Sequence, residues 1–217
     1  MTAPRPPARS PARARRPRAR GRATRARLLE AAGELFRRRG YDGTSVVDVA
    51  ARAGVGVGTV YHHFADKRAM LLALIDDWAD RVEARRRSEL DLERFLGDDP
   101  RGAIRRWLRR AYEREHKEPS LYVVVLGLAD RDEEVRRRYH RLEQGAIARL
   151  HELVAFGQRR GVMRPDLDAE AVAFLVHHAI DMAATQLLVR EVASPDADRV
   201  LEALADMIAR TLLEDDR

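Results

Sequence analysis

Apolar residues recur every three or four positions along most of the chain, which is the spacing of an amphipathic α-helix. The first stripe lies in a helix expected to begin near Arg22, and it consists of Leu28, Leu29, Ala32, Leu35 and Phe36. The same reasoning predicts about nine helices, over residues 22–39, 46–53, 57–63, 67–90, 100–118, 121–129, 131–160, 168–192 and 195–213. The sequence therefore predicts an all-α fold.

Residues 121–129 are the segment at which two patterns compete. Three consecutive valines, 123–125, favour a strand by propensity. A lone strand would have no partner in an otherwise helical chain, so we predict a short buried helix here. Further on, we expect Ser194 to cap a last helix that begins at Pro195.

A pair of short helices is predicted around Gly54. Thr44 and Ser45 are good first residues for a helix over 46–53, and Gly54 suits the left-handed conformation that ends it. A second short helix, 57–63, follows at once and exposes small and hydrogen-bonding side chains. Two short helices joined at a glycine are typical of a helix-turn-helix, in which the second helix enters the major groove of DNA.

The positive charge of the chain is concentrated at its N-terminus. Residues 1–29 contain ten arginines and no acid, so the net charge of +6 leaves the rest of the chain at −4. This asymmetry favours a protein that contacts nucleic acid with one end.

Residues 1–21 include five prolines, seven arginines and hardly any large apolar side chain, which predicts disorder. This segment is either a solvated tail or an arm that lies along DNA.

The segment 22–72 resembles the TetR family of transcriptional regulators. The resemblance rests on an amphipathic first helix and on the runs Gly-Tyr-Asp-Gly-Thr-Ser, Asp-Val-Ala-Ala-Arg-Ala-Gly-Val, Gly-Thr-Val-Tyr-His-His-Phe and Asp-Lys-Arg-Ala-Met-Leu. It implies an N-terminal three-helix DNA-binding domain over 22–68, after the tail 1–21, and a helical effector-binding and dimerisation domain over 69–217.

The resemblance also implies roles for individual residues. Thr44, as cap of the bracing helix, Tyr61 and Lys67 match positions that contact the DNA backbone, whereas the residues expected to read bases are Val57, Thr59 and His62. Many relatives have Ser where this chain has Gly56, so one cap or phosphate contact is missing from the pattern.

A ligand pocket is expected within the C-terminal helices, lined by aromatic side chains with few polar groups. The candidates are Trp78, Trp107, Tyr112, Tyr122, Gln144, Phe174, His177 and Asp181. His177 and Asp181 share a helix face, so they either line the pocket or satisfy each other in a core. Such a lining favours a hydrophobic or aromatic small molecule held by one or two hydrogen bonds.

The helix over 168–192 is apolar around its whole circumference, so it must be buried on all sides. The resemblance implies that it and the last helix pair with their copies in a homodimer, and the expected interface residues are Ile180, Leu187, Leu188, Leu201, Leu204 and Ile208. The alternative is a core helix buried within one chain.

No metal site, cofactor site or catalytic motif is recognisable. His62-His63 and His177-His178 are adjacent pairs, which do not share a helix face. The basic N-terminus is not followed by an apolar run, and the stretch 172–189 contains His177, His178, Asp181 and Gln186, so we expect a cytoplasmic protein without a membrane segment.

These observations predict a DNA-binding regulator, most simply a repressor that is released from a palindromic operator by a small-molecule effector. The alternatives are a constitutive DNA-binding regulator without a ligand and, from another class, a helical enzyme.

Overall fold

A computed structural model describes residues 12–89, 95, 97–117, 121–189 and 195–214 of the chain. Within these residues it contains nine α-helices and no strand. The helices are α1 (Ala12–Arg39), α2 (Val46–Ala53), α3 (Val57–His63), α4 (Lys67–Glu89), α5 (Pro100–Lys117), α6 (Leu121–Ala129), α7 (Glu133–Arg159), α8 (Ala169–Ala184) and α9 (Ala197–Leu212). The all-α prediction is confirmed, and the valine-rich segment is helical as expected.

Two helix starts differ from the sequence prediction. The first helix begins at Ala12, so the expectation of disorder is wrong for residues 12–21, and residues 1–11 lie outside the described part. The last helix is capped by the side chain of Asp196, which accepts a hydrogen bond from the Arg199 N–H at 2.9 Å. The predicted cap, Ser194, lies outside the described residues.

A π-helical turn, Thr185–Val189, continues α8. In a π turn, the hydrogen-bonded carbonyl and N–H groups are five residues apart in sequence, rather than four as in an α-helix. Such turns often occur at functional sites. The sequence pattern predicted one regular helix through this region, because a single inserted residue hardly alters the composition of a helix that is apolar on all sides.

The chain divides into two compact units, Met1–Leu74 and Ile75–Arg217, whereas the sequence placed the boundary after Arg68. In the first unit, the predicted α1 stripe is buried and packs with α2. The core of this unit also includes Val49, Val60, Phe64, Met70 and Leu71. Burying Phe36 and Leu28 alone stabilises the unit by about 1.5–3 kcal/mol for each side chain.

In the second unit, α7 packs on α8 and on α6, and α9 packs on α5. Apolar residues of α5, α7, α8 and α9 form one hydrophobic core, whose members include Ile104, Leu108, Leu153, Val176, Leu204 and Ile208. A second group of side chains on α4–α8 encloses a cavity, described below.

Candidate DNA interface and ligand cavity

Ser45, rather than Thr44, caps α2. The Ser45 Oγ accepts a hydrogen bond from the Asp48 N–H at 3.1 Å, and the Asp48 carboxylate accepts one from the Ser45 N–H at 2.9 Å, which is a complete capping box. These bonds hold the pKa of Asp48 below its ordinary value. Thr44 is only 3% exposed and its hydroxyl donates to the Gly40 carbonyl at 2.9 Å. The predicted capping role of Thr44 is therefore wrong: its hydroxyl closes the turn after α1.

Gly54 makes the sharp turn between α2 and α3. Its φ of 65° lies in the left-handed region that side chains disfavour. The next N–H, of Val55, donates back to the Ala50 carbonyl at 3.0 Å. This bond satisfies a carbonyl at the end of α2 and fixes the direction in which the chain enters α3.

The two faces of α3 have the predicted polarity. Val60 and the following Phe64 are buried, whereas Tyr61 is 55% exposed and His62 is exposed. Val57 and Thr59 are half-buried. The exposed and half-buried side chains are those expected to meet DNA.

Two glycines leave gaps on α3. Gly56 is its N-cap and provides no side-chain hydrogen bond, in agreement with the predicted loss of one contact. Gly58 is exposed, and a Cβ atom at this position would meet no heavy atom within 4 Å. The N-terminal end of α3 therefore carries few side chains on its exposed side.

Lys67, the first residue of α4, is fixed by the turn after α1. Its Nζ donates to the Tyr41 carbonyl at 2.9 Å and lies 4.2 Å from the centre of the Tyr41 ring. The Tyr41 ring in turn meets Phe36 edge to face, with ring centres 5.3 Å apart. This chain of contacts joins the ammonium group to the core of the first unit and restricts its position.

Sequence reasoning did not single out Val47. This residue of α2 is 62% exposed, which is unusual for a β-branched apolar side chain beside a buried stripe. The signal was present: Val46, Val47 and Val49 cannot all lie on one face of a short helix. Its side chain lies on the exposed side of the helix that precedes α3.

A cavity of about 190 Å³ lies within the second unit. Its apolar wall comes from α4, α5, α6, α7 and α8, together with the π turn. The wall includes Trp78, Val82, Trp107, Tyr122, Tyr139, Leu142, Leu150, Ile180 and Leu188. Because the chain contains two tryptophans, every tryptophan side chain lies at this cavity.

Five predicted pocket residues line the cavity, namely Trp78, Trp107, Tyr122, His177 and Asp181. Three others do not. Tyr112 packs against the hydrophobic core, Gln144 is exposed on α7, and Phe174 is 50% exposed on α8. Helical spacing placed these three on plausible helices, but it did not give the rotation of each helix about its axis.

Asp181 organises one side of the cavity. Its Oδ1 accepts hydrogen bonds from the Tyr122 hydroxyl at 2.7 Å and the Tyr139 hydroxyl at 2.9 Å. Burial raises the pKa of both phenols above the ordinary value, so both stay protonated and act as donors. The Tyr122 oxygen also lies 3.1 Å from the Thr185 hydroxyl, which joins the network to the π turn.

Two basic side chains in the cavity lack full sets of partners. His177 is 9% exposed and its Nε2 atom has no hydrogen-bond partner. Burial lowers its pKa, the nearby Arg86 charge lowers it further, and Asp181 opposes both effects. Arg86 donates from Nη1 to the Leu142 carbonyl at 3.0 Å, and burial lowers its pKa as well.

Arg86 and Tyr139 were missed by sequence reasoning. The signal was helical spacing: Val82 and Arg86 follow Trp78 at intervals of four on α4, and all three line the cavity. The predicted lining consisted of aromatic residues and of Gln144, His177 and Asp181, and it did not include the arginine at the next turn. Long basic side chains cover apolar surface with their stems, which makes such positions hard to recognise.

Within one chain, the residues expected at the dimer interface are buried or partly buried. Leu201, Leu204 and Ile208 are buried in the core of the second unit, where α9 packs on α5. Ile180 and Leu188 line the cavity, and Leu187 is half-buried. The amphipathic stripe of α9 is therefore satisfied within one chain, and its neighbour Glu202 pairs with Arg105 of α5 at 2.7 Å.

Other apolar side chains of α8 and α9 are exposed instead. Phe174, Leu175 and Met182 on α8 are 50%, 64% and 59% exposed, and Met207 on α9 is 50% exposed. By length and mean hydropathy alone, residues Ala169–Leu188 could span a membrane, and 22% of that segment is buried. We name Phe174, Leu175, Met182 and Met207 the exposed apolar face.

Among the described residues, no three histidine, aspartate or glutamate side chains are grouped closely enough to hold a metal ion.

Comparison with known proteins places the N-terminal region in a large group of regulators. Residues 28–74 match the family model described as bacterial regulatory proteins, tetR family. The chain is 27% identical over 168 residues to the HTH-type transcriptional regulator TtgR of Pseudomonas putida, covering 73% of this chain and 77% of TtgR. It is 41% identical over 78 residues to the HTH-type transcriptional repressor KstR2 of Mycobacterium tuberculosis, covering 34% of this chain and 39% of KstR2.

The fold extends the similarity beyond the N-terminal region. A solved structure of a putative transcriptional regulator from Saccharomonospora viridis, in complex with choline, superimposes with a TM-score of 0.73 and is 25% identical. The match covers 89% of this chain and all of that one. The likeness therefore includes both units.

Proposed function

We propose that the chain is a helix-turn-helix transcriptional regulator of the TetR family, and that it is a repressor released from its operator by a small hydrophobic or aromatic effector. The observation that supports this most directly is the cavity, which is lined by both tryptophans. The same chain contains α3, the helix whose exposed side is expected to meet DNA. An effector that binds one of two conformations more tightly shifts the population toward it. The choline complex of the S. viridis protein is a precedent for ligand binding within this fold.

DNA contact is assigned to the exposed side of the helix-turn-helix. Tyr61 and Lys67 contact the phosphate backbone, and Val57, Thr59 and His62 reach base edges in the major groove. Thr44 serves this interface indirectly, through its bond to Gly40. Partly buried Val57 and Thr59 offer less side-chain surface than His62, so His62 makes the largest contribution to sequence choice.

The protein acts as a cytoplasmic homodimer on a palindromic operator. The exposed apolar face supports this assembly, because large apolar side chains gathered on the last helices are typical of an interface. A two-fold dimer places two recognition helices on successive major grooves, which explains a palindrome.

Ligand entry is expected to quench tryptophan fluorescence and to release DNA over the same concentration range, because both tryptophans line the cavity. The test uses the full chain, an operator selected by the protein from random duplexes, and a panel of hydrophobic compounds. Fluorescence and electrophoretic mobility are measured on the same samples. Two outcomes would favour the constitutive regulator: quenching of fluorescence without release of DNA, or tight DNA binding with no response to any compound. Chemical turnover of a compound would favour the enzyme.

Removal of residues 1–21 is expected to weaken DNA binding and to flatten its salt dependence. Seven arginines are lost, and each phosphate contact contributes about −0.9 to the slope of log affinity against log salt. The slope is measured between about 50 and 200 mM salt, because affinity falls by orders of magnitude over that range. An unchanged slope would mean that residues 1–21 make no contact with DNA. A separate deletion of residues 1–11 tests the part that precedes α1.

A further inference from the structure

The acidic side chains that line the cavity all have partners. Glu89 accepts two hydrogen bonds from Arg114, at 2.8 and 3.2 Å. Glu143 lies 2.7 Å from the His140 Nδ1, and Asp181 accepts from two tyrosine hydroxyls. A further cation entering the cavity would therefore compete with existing donors for each carboxylate.

Arg114 is paired in this way, but two other arginines of the cavity, Arg86 and Arg85, are not. Arg86 has a single hydrogen bond, to the Leu142 carbonyl, and no carboxylate of the described residues lies within ion-pair distance of it. Arg85 also lines the cavity and forms no hydrogen bond or ion pair within the described part of the chain. A guanidinium has five N–H donors, so most of the donors of Arg86 are available to a ligand.

His177 adds a second available group at the same place. Its Nε2 atom is buried, lacks a partner and belongs to a side chain that lines the cavity. More than nine-tenths of buried polar groups in proteins are hydrogen-bonded, so an orphaned imidazole nitrogen on a side chain that lines a cavity points to a ligand atom as its partner. A tautomer with hydrogen on Nε2 is a donor, as an anion requires.

We infer that the effector is an aromatic monocarboxylate, whose carboxylate binds Arg86 and the His177 Nε2 while its ring packs against the apolar wall with Trp78 and Trp107. This inference rests on the proposed function and specifies the ligand of the same cavity. A guanidinium binds a carboxylate with two parallel charge-assisted hydrogen bonds, which are stronger than neutral ones. Arg85 contributes a second positive charge at the same wall.

The size of the cavity suits a ligand of about one ring. An apolar cavity of about 150 Å³ holds benzene, and this cavity measures about 190 Å³. The difference leaves room for a short acid side chain. Phenylacetate has this composition, and 2-phenylethanol and phenethylamine are its neutral and cationic counterparts of similar size.

The experiment measures the dissociation constants of these three probes by tryptophan fluorescence, with the shift in melting temperature as a second readout. It compares the full-length protein with Arg86→Gln, Arg86→Lys and His177→Phe. Arg87→Gln is the matched control, because Arg87 lies on the same helix, is exposed and does not line the cavity.

Phenylacetate is expected to bind at least about tenfold more tightly than phenethylamine, as one charge-assisted contact contributes about that much. Arg86→Gln should weaken phenylacetate by about tenfold and leave 2-phenylethanol within a factor of about two, which also verifies that the variant is folded. Arg86→Lys should retain part of the preference, and His177→Phe should weaken phenylacetate selectively. Arg87→Gln should behave as the unmodified chain.

Tighter binding of phenethylamine, or of choline, would overturn the inference in favour of a cationic ligand. Phenylacetate affinity that is unchanged in Arg86→Gln would overturn it as well, and so would the failure of all three probes to bind. The proposed function is judged separately, by operator binding and its release by any compound of the hydrophobic panel.

Discussion

Replacing Leu175 and Met182 together by arginine is expected to convert the dimer into monomers and to weaken operator binding by about 100-fold or more. Both side chains are more than half exposed on α8, so the substitutions do not disturb the packing of one chain. In a dimer, however, they would place unpaired positive charges in an apolar interface, which is strongly unfavourable. Monomers lose the advantage of binding two half-sites at once.

The oligomeric state is measured by light scattering after size-exclusion chromatography at micromolar concentration, and DNA binding by gel shift. Gln144→Arg is the control, because it adds the same charge at an exposed polar position of α7. A double variant that remains dimeric would exclude the exposed apolar face as the interface. A monomeric unmodified protein would contradict the homodimer itself.

Alanine substitutions on α3 are expected to separate affinity from sequence choice. Tyr61→Ala should weaken binding to all duplexes to a similar extent, because a phosphate contact is insensitive to sequence. His62→Ala should lower affinity for the preferred operator by about 1–3 kcal/mol and reduce discrimination at one base pair of each half-site. The measurement is a gel-shift series over all single-base variants of the selected operator.

The neighbouring histidine provides a matched control. His63 is half-buried, whereas His62 is exposed, so His63→Ala should leave the order of preferred duplexes unchanged. Equal affinities for Tyr61→Ala, His62→Ala and the unmodified protein on every duplex would remove α3 from the DNA interface. A change of preference in His63→Ala alone would mean that the helix lies in the groove with another rotation.

The sequence was most informative where a residue type has one strong local reason for its position. Gly54 is required by a left-handed turn, Val60 and Phe64 by burial, and each is where the pattern predicted it. The cap of α2 was assigned to the wrong one of two adjacent hydroxyl residues. Thr44 and Ser45 have similar cap preferences, and the capping box with Asp48 three residues beyond Ser45 was the signal that distinguishes them.

The prediction of the dimer interface depends on a different physical question. An apolar stripe such as Leu201, Leu204 and Ile208 must be buried, but periodicity does not specify whether the covering surface belongs to the same chain. In the structure α5 covers it. The helix over 168–192 is apolar all round, so its periodicity could not distinguish cavity, core and exposed sides, and the π turn changes the spacing further.

The cavity could be predicted only in part for a related reason. Aromatic residues indicated the right helices, because large flat side chains line most ligand sites. The unmatched charge of Arg86 could not be found from sequence. It depends on which carboxylates the other helices of the cavity, α5–α8, bring within reach of the guanidinium. Such a count of partners requires coordinates.

The bare position at Gly58 has an evolutionary consequence. A side chain there would meet open space, and most residues favour a helix over glycine by up to about 1 kcal/mol. A change at this codon therefore adds a new chemical group to the recognition helix without destabilising the domain that presents it. After gene duplication, one copy can acquire a different operator in a single step while the other keeps the ancestral set of genes.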